Sequence, residues 1–567
     1  MKQKYDIAII GSGIAGSCLA TILAKQGKRV IVFEAKNHPR FAIGESMILE
    51  ASETLRAMAQ FYEIPELAYY SSENYMPLIG TSHGVKRHFS FLHHSEGKYQ
   101  NKQKAFQAVI PNQPHGHELH LFRQDSDQFM VATAISYGAK VYQDTAVSDI
   151  DITSEVVNIK TSAGDFSADY IVDAGGFKSI LAEKFQLRDY DLKTHSRTIF
   201  THMVNVPDYH QTGLSQQEYG FPFSVAEGTL HHIFEGGWLW VIPFNNHQKS
   251  TNPLCSVGLQ LDTRHYPEDK TLSAKEEFCA FVSRFPDLKK QLENTKAVRS
   301  WTRTGRIQYT SKQVVGERFA LLAHAAGFID PLFSKGMYVS FNSVSTLVHL
   351  ILTNEGDFSA ETFKPYEQQT LAFVQSHDRL VANSYKSFTN HKLWSVYKVL
   401  WLLGAYTEFV KLTSSRKRAL TRNDYYREIA SLSLTGGGFD EYKTLAEQID
   451  TLIEQLDVKN EQAVDYVVAE INNLFLALDW LPQAFRETLK GKPYLPKNKL
   501  RWQLLKWQAG FMGSGEFRKH FFNNKERLGL VKDFLTEKIK YATISLVRKK
   551  MQQKNYLSFS KGKRHQY

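Results

Sequence analysis

Cysteine is scarce in this sequence. Cys18, Cys255 and Cys279 are the only three in 567 residues, too few and too scattered for a disulfide framework or a thiolate metal site, so a reducing compartment is the simplest fit. No basic segment followed by an apolar one precedes the first strand pattern, which opens at about residue 5. A secretion signal therefore has no room, and a cytoplasmic location is expected. Long apolar runs are missing too: residues 393–405 are strongly apolar, but the stretch is short and carries Lys398, which argues against a membrane span. There is no internal repeat and no low-complexity tract. Histidines are plentiful, yet His115, His117 and His120 lack the paired i,i+4 helical spacing of a zincin and have no carboxylate cluster beside them. No metal site is expected.

What is present is ordinary for a folded chain of two or three domains, with 43% apolar and 22% charged residues. Its charge is unevenly placed. Residues 491–567 hold nineteen Lys or Arg against four Asp or Glu, so of the net +11 the rest of the chain carries −4. That end is expected to meet an acidic surface: a carrier protein, anionic lipid headgroups or nucleic acid. A solvated basic helical face explains the same composition.

Residues 1–34 organise the remainder. Tyr5-Asp6-Ile7-Ala8-Ile9-Ile10 is a short apolar run, Gly11-Ser12-Gly13-Ile14-Ala15-Gly16 follows without a gap, residues 17–26 have helical spacing, and Val30-Ile31-Val32-Phe33 ends on Glu34. This is a βαβ unit with phosphate-binding glycines in its first turn. Gly11 permits the turn, Gly13 lets backbone approach a pyrophosphate, and Gly16 lets the helix lie close to the sheet. Glu34, eighteen positions beyond Gly16, is placed for an unphosphorylated adenosine ribose.

Farther on, Arg40, Gly44, Glu45 and Ser46 lie in a loop where a bound ring system belongs, and a helix is expected over residues 47–62. Residues 84–94 alternate as a strand, and a helix is expected over 126–137. Asp173-Ala174-Gly175-Gly176 ends a buried strand in a glycine turn. Residues 198–303 read as an antiparallel sheet over the ligand, and residues 319–331 return to the nucleotide domain through a loop and helix offering backbone donors to negative charge. From residue 356 the spacing is helical. The expected organisation is a nucleotide domain in three parts (1–78, 106–190 and 306–355), a second domain from 79–105 and 191–305, and helices over 356–567.

Together these pieces resemble the flavin-dependent halogenases, within the FAD monooxygenases built like p-hydroxybenzoate hydroxylase, over about residues 5–350. The halogenase likeness rests on Trp238-x-Trp240-x-Ile242-Pro243, Gly44-Glu45-Ser46, Lys86 and Asp330-Pro331-Leu332-Phe333-Ser334-Lys335-Gly336. The implied fold is α/β: a Rossmann-type FAD-binding domain of the glutathione-reductase and p-hydroxybenzoate-hydroxylase type, an antiparallel-sheet substrate domain and a helical C-terminal extension. The implied chemistry starts with FADH2 supplied by a separate flavin reductase. Its flavin hydroperoxide oxidises chloride or bromide, and hypohalous acid travels to Lys86 beside an electron-rich substrate, a phenol, a pyrrole or a carrier-tethered acyl group.

The resemblance also implies roles. Gly11, Gly13, Ile14, Ala15, Gly16, Glu34, Arg40, Gly44, Glu45, Ser46, Arg123, Val147, Asp173, Gly175, His324, Asp330 and Gly336 are the expected FAD contacts. Ser334, Lys335 and Gly336 are expected to hold halide, Ser334 also to act in catalysis, and Trp238 and Trp240 to wall the flavin from the substrate. Phe333 stands where tryptophan halogenases carry glutamate, Lys335 where Ser or Thr is usual, and His324 where an Asp often contacts the ribityl chain. Phe333 points to the phenol, pyrrole or carrier-tethered branch, while Lys335 either adds positive charge near the halide or obstructs it and His324 alters the flavin contact. Expected partners are the reductase, a small aromatic substrate, free or on an acyl or peptidyl carrier protein, and a membrane surface at the basic end, with no nucleic acid. The competing expectation is an FAD monooxygenase or geranylgeranyl-reductase-like enzyme without halide chemistry.

Overall fold

The computed structural model describes residues 4–111, 116–354, 356–508 and 512–523. The chain begins with β1 (Lys4–Ile10), α1 (Ile14–Lys25) and β2 (Val30–Phe33). Helix α1 starts directly after Gly13, one turn before the run of helical spacing, because Ile14 and Ala15 already contribute helical backbone. There follow α2 (Leu49–Phe61), β3 (Gly84–Lys86), β4 (His88–His93), β5 (Ala105–Val109), β6 (Glu118–His120), α3 (Arg123–Ser136), β7 (Lys140–Tyr142), β8 (Val147–Ile152), β9 (Val157–Thr161) and β10 (Gly164–Asp173). The second half supplies β11 (Ser196–Val204), β12 (Thr229–Phe234), β13 (Gly237–Pro243), β14 (Cys255–Asp262), β15 (Phe319–Leu321) and three long helices, α4 (Gly336–Thr353), α5 (Lys364–Ser387) and α6 (His391–Arg418).

Strands β15, β10, β1, β2 and β7 form a parallel sheet in that order. Their register sets Ile10 beside both Asp173 and Phe33, so the turns after β1, β2 and β10 open at one carboxyl edge. Loops at such an edge form the ligand crevice of a doubly wound sheet. Strand β9 adds to β10 antiparallel, extended by β8.

The second sheet holds the expected antiparallel layer and adds one parallel step to a strand from earlier in the chain. Strands β11, β14, β13 and β12 pair antiparallel, but β12 runs parallel to β4, which then pairs antiparallel with β5. The parallel step arises because β4 and β12 are joined by a long excursion through the nucleotide domain and not by a hairpin. Period-two alternation is blind to strand direction. The stretch 84–94 is also not one strand: it breaks at Arg87, and β3 leaves the large sheet to pair with β6, setting Lys86 opposite Glu118.

Beyond residue 363, helices pack on this frame. Helix α6 is apolar on most faces and buries Trp394, Tyr397, Leu400 and Trp401 among others, touching α2, α5 and the β4 aromatics. No helix among the described residues is long and apolar enough to cross a membrane. Most of the basic end, residues 524–567, lies outside the described residues, as does His115.

The substrate sheet is rich in buried imidazoles. Burial pushes His88, His120, His231 and His232 down to about 3, against partial relief from hydrogen bonds such as His120 to the Pro243 carbonyl. These groups are neutral in the fold and charge freely once unfolded, so the stability they contribute is present above about pH 6.5 and is lost as pH falls toward 3. Each costs about 1.4 kcal/mol per pH unit below 6.5. The urea midpoint of unfolding is therefore expected to drop steeply between pH 7 and pH 5; a flat profile across that window contradicts this account of the core.

Candidate active site

A cavity of about 670 Å³ runs along the carboxyl edge of the parallel sheet and beneath the second sheet. The first turn lines it through Gly13, Ile14, Ala15 and Gly16. Gly16 is required by packing, since a Cβ there would lie 2.1 Å from the Gly11 carbonyl oxygen; Gly11 has φ +91° and lies against the Ala174 carbonyl. Gly13 differs, because a Cβ would meet only Arg40, at 3.6 Å. Its bareness matters to what approaches from the cavity. Helix α1 has no side-chain cap, so its first N–H groups are left for a ligand, and α4 begins at Gly336 in the same uncapped way on the same cavity.

Around these helix ends the polar groups suit a dinucleotide. Arg40 lines the cavity, gives one guanidinium N–H to Glu34 at 3.0 Å and keeps a buried Nε without a partner. Glu34 does not line the cavity. Burial pushes its carboxyl upward, but Arg40 and the Ser12 and Lys36 N–H groups outweigh that and hold it below the usual carboxylate range. Arg123 clamps Asp127 through two nitrogens and donates to the carbonyls of Ile43 and Gly44, fixing the loop that presents Gly44, Glu45 and Ser46. Glu45 pairs with His202 at 2.7 Å and leaves Oε2 buried and unpartnered beside the cavity. Ser46 shares a hydrogen bond with Thr229. Gly175 and His324 complete this side. The set fits FAD.

Asp173 and Val147 also sit away from the cavity wall. Asp173 is buried behind the turn, where burial raises its pKa and where it accepts from Gly175 N–H, Ser179 hydroxyl and Leu181 N–H. It shapes the glycine turn from behind. Val147 lies at the start of β8, pairs with Thr161 and does not line the cavity. Lys335 is likewise absent from the wall. Its ammonium is buried against Glu50 at 2.5 Å, so its side chain brings no charge to a halide. Ser334 and Gly336 do line the cavity, and Ser334 is held at φ +56°.

On the opposite wall, Trp238 and Trp240 project from one face of β13 with ring centroids 5.6 Å apart. Their N–H groups donate to Tyr385 and Ser256. Asp330 lines the same region, where burial pushes its carboxyl up to about 6. Lys86 is fully buried at 0% exposure; its Nζ donates to Ser334 Oγ at 3.2 Å and stands 3.5 Å over the Phe89 ring. Burial holds its pKa well below the ordinary lysine value; Glu118 and Glu50 oppose that, and Lys335 adds to it. Lys86 itself does not line the cavity, whereas its partner Ser334 does.

Sequence reasoning missed Glu118, Tyr385 and Trp401. Glu118 is buried opposite Lys86, accepts the Ser52 hydroxyl on Oε2 and leaves Oε1 unpartnered; burial raises its pKa. Trp401 stacks on Phe333 at 4.5 Å and meets Phe89 edge-on. Only the alternation in residues 117–120 hinted at Glu118, and nothing local marks its partner.

A Rossmann-type sheet, a second sheet over its carboxyl edge and a dinucleotide cavity define an FAD-dependent oxidoreductase of the p-hydroxybenzoate-hydroxylase type. Residues 81–451 match the family model described as tryptophan halogenase, and residues 9–46 match an NAD(P)-binding Rossmann-like domain. The chain is 39% identical to tetracycline 7-halogenase of Kitasatospora aureofaciens, over 79% of this chain and 84% of that one. It is 40% identical to monodechloroaminopyrrolnitrin halogenase PrnC of Pseudomonas fluorescens, over 74% of each. The crystal structure of halogenase PltM with phloroglucinol and FAD superposes with a TM-score of 0.82 at 31% identity, over 87% of this chain and 99% of that one. The chain belongs to the flavin-dependent halogenase family, and the alternative without halide chemistry gives way. FAD is its cofactor, halide its co-substrate, and a flavin reductase supplies the reduced cofactor.

Gly13 isolates the cofactor contact from folding. Gly13→Ala is expected to keep the wild-type melting temperature and to weaken FAD binding by about tenfold or more, read by flavin fluorescence titration. Unchanged affinity would remove the pyrophosphate from this turn.

Proposed function

We propose that this halogenase passes oxidised halogen from the flavin cavity beside Ser334 to Lys86, which delivers it to an electron-rich aromatic ring. The observation carrying this reading is the hydrogen bond from a fully buried Lys86 to Ser334, a residue that lines the cavity. Bound reduced FAD, with oxygen, supplies the two-electron oxidation of halide to hypohalous acid. The bare N–H groups at the start of α4 and the Ser334 hydroxyl suit the halide anion. Trp238 and Trp240 exclude the organic substrate from the flavin while leaving space for small halogen species.

Burial, which holds its pKa well below the ordinary lysine value, favours the neutral, lone-pair form of the Lys86 amine. That amine takes halogen from hypohalous acid, one of its N–H protons leaving in the water released; as a ring carbon attacks, the N–X bond breaks with its electron pair returning to nitrogen, which must regain a proton to restore the amine. The ring must then lose a proton. Glu118, the cross-strand partner of Lys86, keeps Oε1 unpartnered and is the group that accepts this proton and returns it to the Lys86 nitrogen. Phe333 and Trp401 make the neighbouring wall aromatic, without a carboxylate at position 333.

The acceptor is therefore a phenol, pyrrole or related electron-rich ring. Relatives named for a tetracycline and for monodechloroaminopyrrolnitrin, and a structure holding phloroglucinol, support that class. Membrane contact has no support among the described residues, and a carrier-tethered substrate is not needed by the reading.

With a flavin reductase, bromide and a phenol panel, the wild-type protein is expected to give brominated product. Lys86→Met is expected to lower product about 100-fold while flavin oxidation continues, and Glu118→Gln to lower kcat about tenfold and flatten the alkaline-rising limb of its pH profile. Full product formation by Lys86→Met would overturn the lysine step; an unchanged Glu118→Gln profile would remove the proton acceptor.

A further inference from the structure

The wall between the flavin cavity and Lys86 is held from behind by a residue that no motif marks. Tyr385, near the end of α5, is buried among aromatic side chains, with the Phe388 ring 5.7 Å away. The Trp238 indole N–H donates to its hydroxyl oxygen at 3.1 Å, and that hydroxyl donates to Asp330 Oδ2 at 3.0 Å. An indole has a single donor and no acceptor, so the orientation of Trp238 depends on this one oxygen.

Asp330 gathers more than the tyrosine. Its Oδ2 also accepts from the Ser196 hydroxyl at 2.8 Å and the Gln260 amide at 2.9 Å. Oδ1 accepts from the Leu332 N–H at 2.9 Å. Leu332 is the second residue of the turn from Pro331 to Ser334, closed by the Ser334 N–H to the Pro331 carbonyl at 2.9 Å. One carboxylate thus fixes two parts of the cavity wall. It reaches the indole through Tyr385 and the Ser334 turn through Leu332. Asp330, Trp238 and Ser334 line the cavity, while Tyr385 stands behind them on a helix outside both sheets.

We infer that Tyr385 is a positioning residue for halogenation, through which the C-terminal helices set the Trp238 wall and keep oxidised halogen on the path to Lys86. The inference rests on the proposed path to Lys86. Removing the hydroxyl leaves the indole N–H without its acceptor in a buried setting, which favours other orientations of the ring. The consequence is leakage, not loss of cofactor.

The test uses full-length protein with flavin reductase, NADH, FAD, bromide and a phenol, and scores brominated product per flavin oxidised alongside hypobromous acid trapped in solution. Tyr385→Phe is expected to lower product per flavin roughly fivefold and raise trapped hypobromous acid, with FAD affinity within about twofold of wild type. In a Trp238→Phe background the same substitution is expected to change the ratio by less than about 1.5-fold, because the group it acts through is gone. Wild-type coupling in Tyr385→Phe, or an equal loss in both backgrounds, overturns the inference. Tyr385→Met, which keeps bulk but offers the indole N–H no comparable acceptor, should show the same dependence on Trp238 and decides the matter if Tyr385→Phe does not fold. Lys86→Met separates the two claims: if it brominates the phenol at the wild-type ratio, the path itself fails, whatever Tyr385 does.

Discussion

A lysine amine kept out of water and touching a residue of the cofactor cavity is the constraint on which the site depends. Lys86 has one hydrogen bond, to Ser334, and an aromatic face at 3.5 Å. Stripping water from an amine favours its neutral form, and the neutral form is the one that can accept halogen. The same burial that removes charge also removes competing nucleophiles. Hypohalous acid next to bulk water would diffuse away; next to this amine it has few other partners.

Keeping that amine dry requires buried charges nearby to be matched among themselves. Lys335 is spent on Glu50, and Glu53 is held near 2 because the guanidinium groups of Arg416 and Arg56 outweigh the burial that pushes it up. Glu408, which burial raises to about 7, accepts from Tyr338 and from the Gly437 N–H. These pairs join α2, α4 and α6 behind the site. Breaking one partner of such a pair leaves an uncompensated charge and typically costs about 3–5 kcal/mol. The C-terminal helices are thus part of the active site's wall, through Tyr385, His377 and Trp401, and not an appendage to it.

Much of the nucleotide half was legible from local spacing. Gly11 and Gly16 announce the turn because backbone crowds both, Gly16 against the Gly11 carbonyl and Gly11 against Ala174, whereas Gly13 is left bare toward the cavity. The substrate half was legible as strands but not as a sheet, since the parallel β4–β12 pairing links residues about 140 positions apart. Lys335 shows the limit most plainly. A basic residue in a halide loop suggests an anion contact, but Glu50, on a helix 285 positions away, takes its ammonium. Val147 was expected at the cofactor and Glu118 was missed for the same reason: where a strand's side chains end up is decided by long-range pairing, and one sequence read alone does not contain it.

The most direct measurement is anomalous diffraction from a crystal of the FAD complex soaked in bromide. The account predicts a bromide peak in contact with Ser334 or the Gly336 N–H, on the flavin side of Lys86, with that amine still closed to bulk water. A peak found only at surface cations, or an open solvent channel reaching the Lys86 amine, would contradict it.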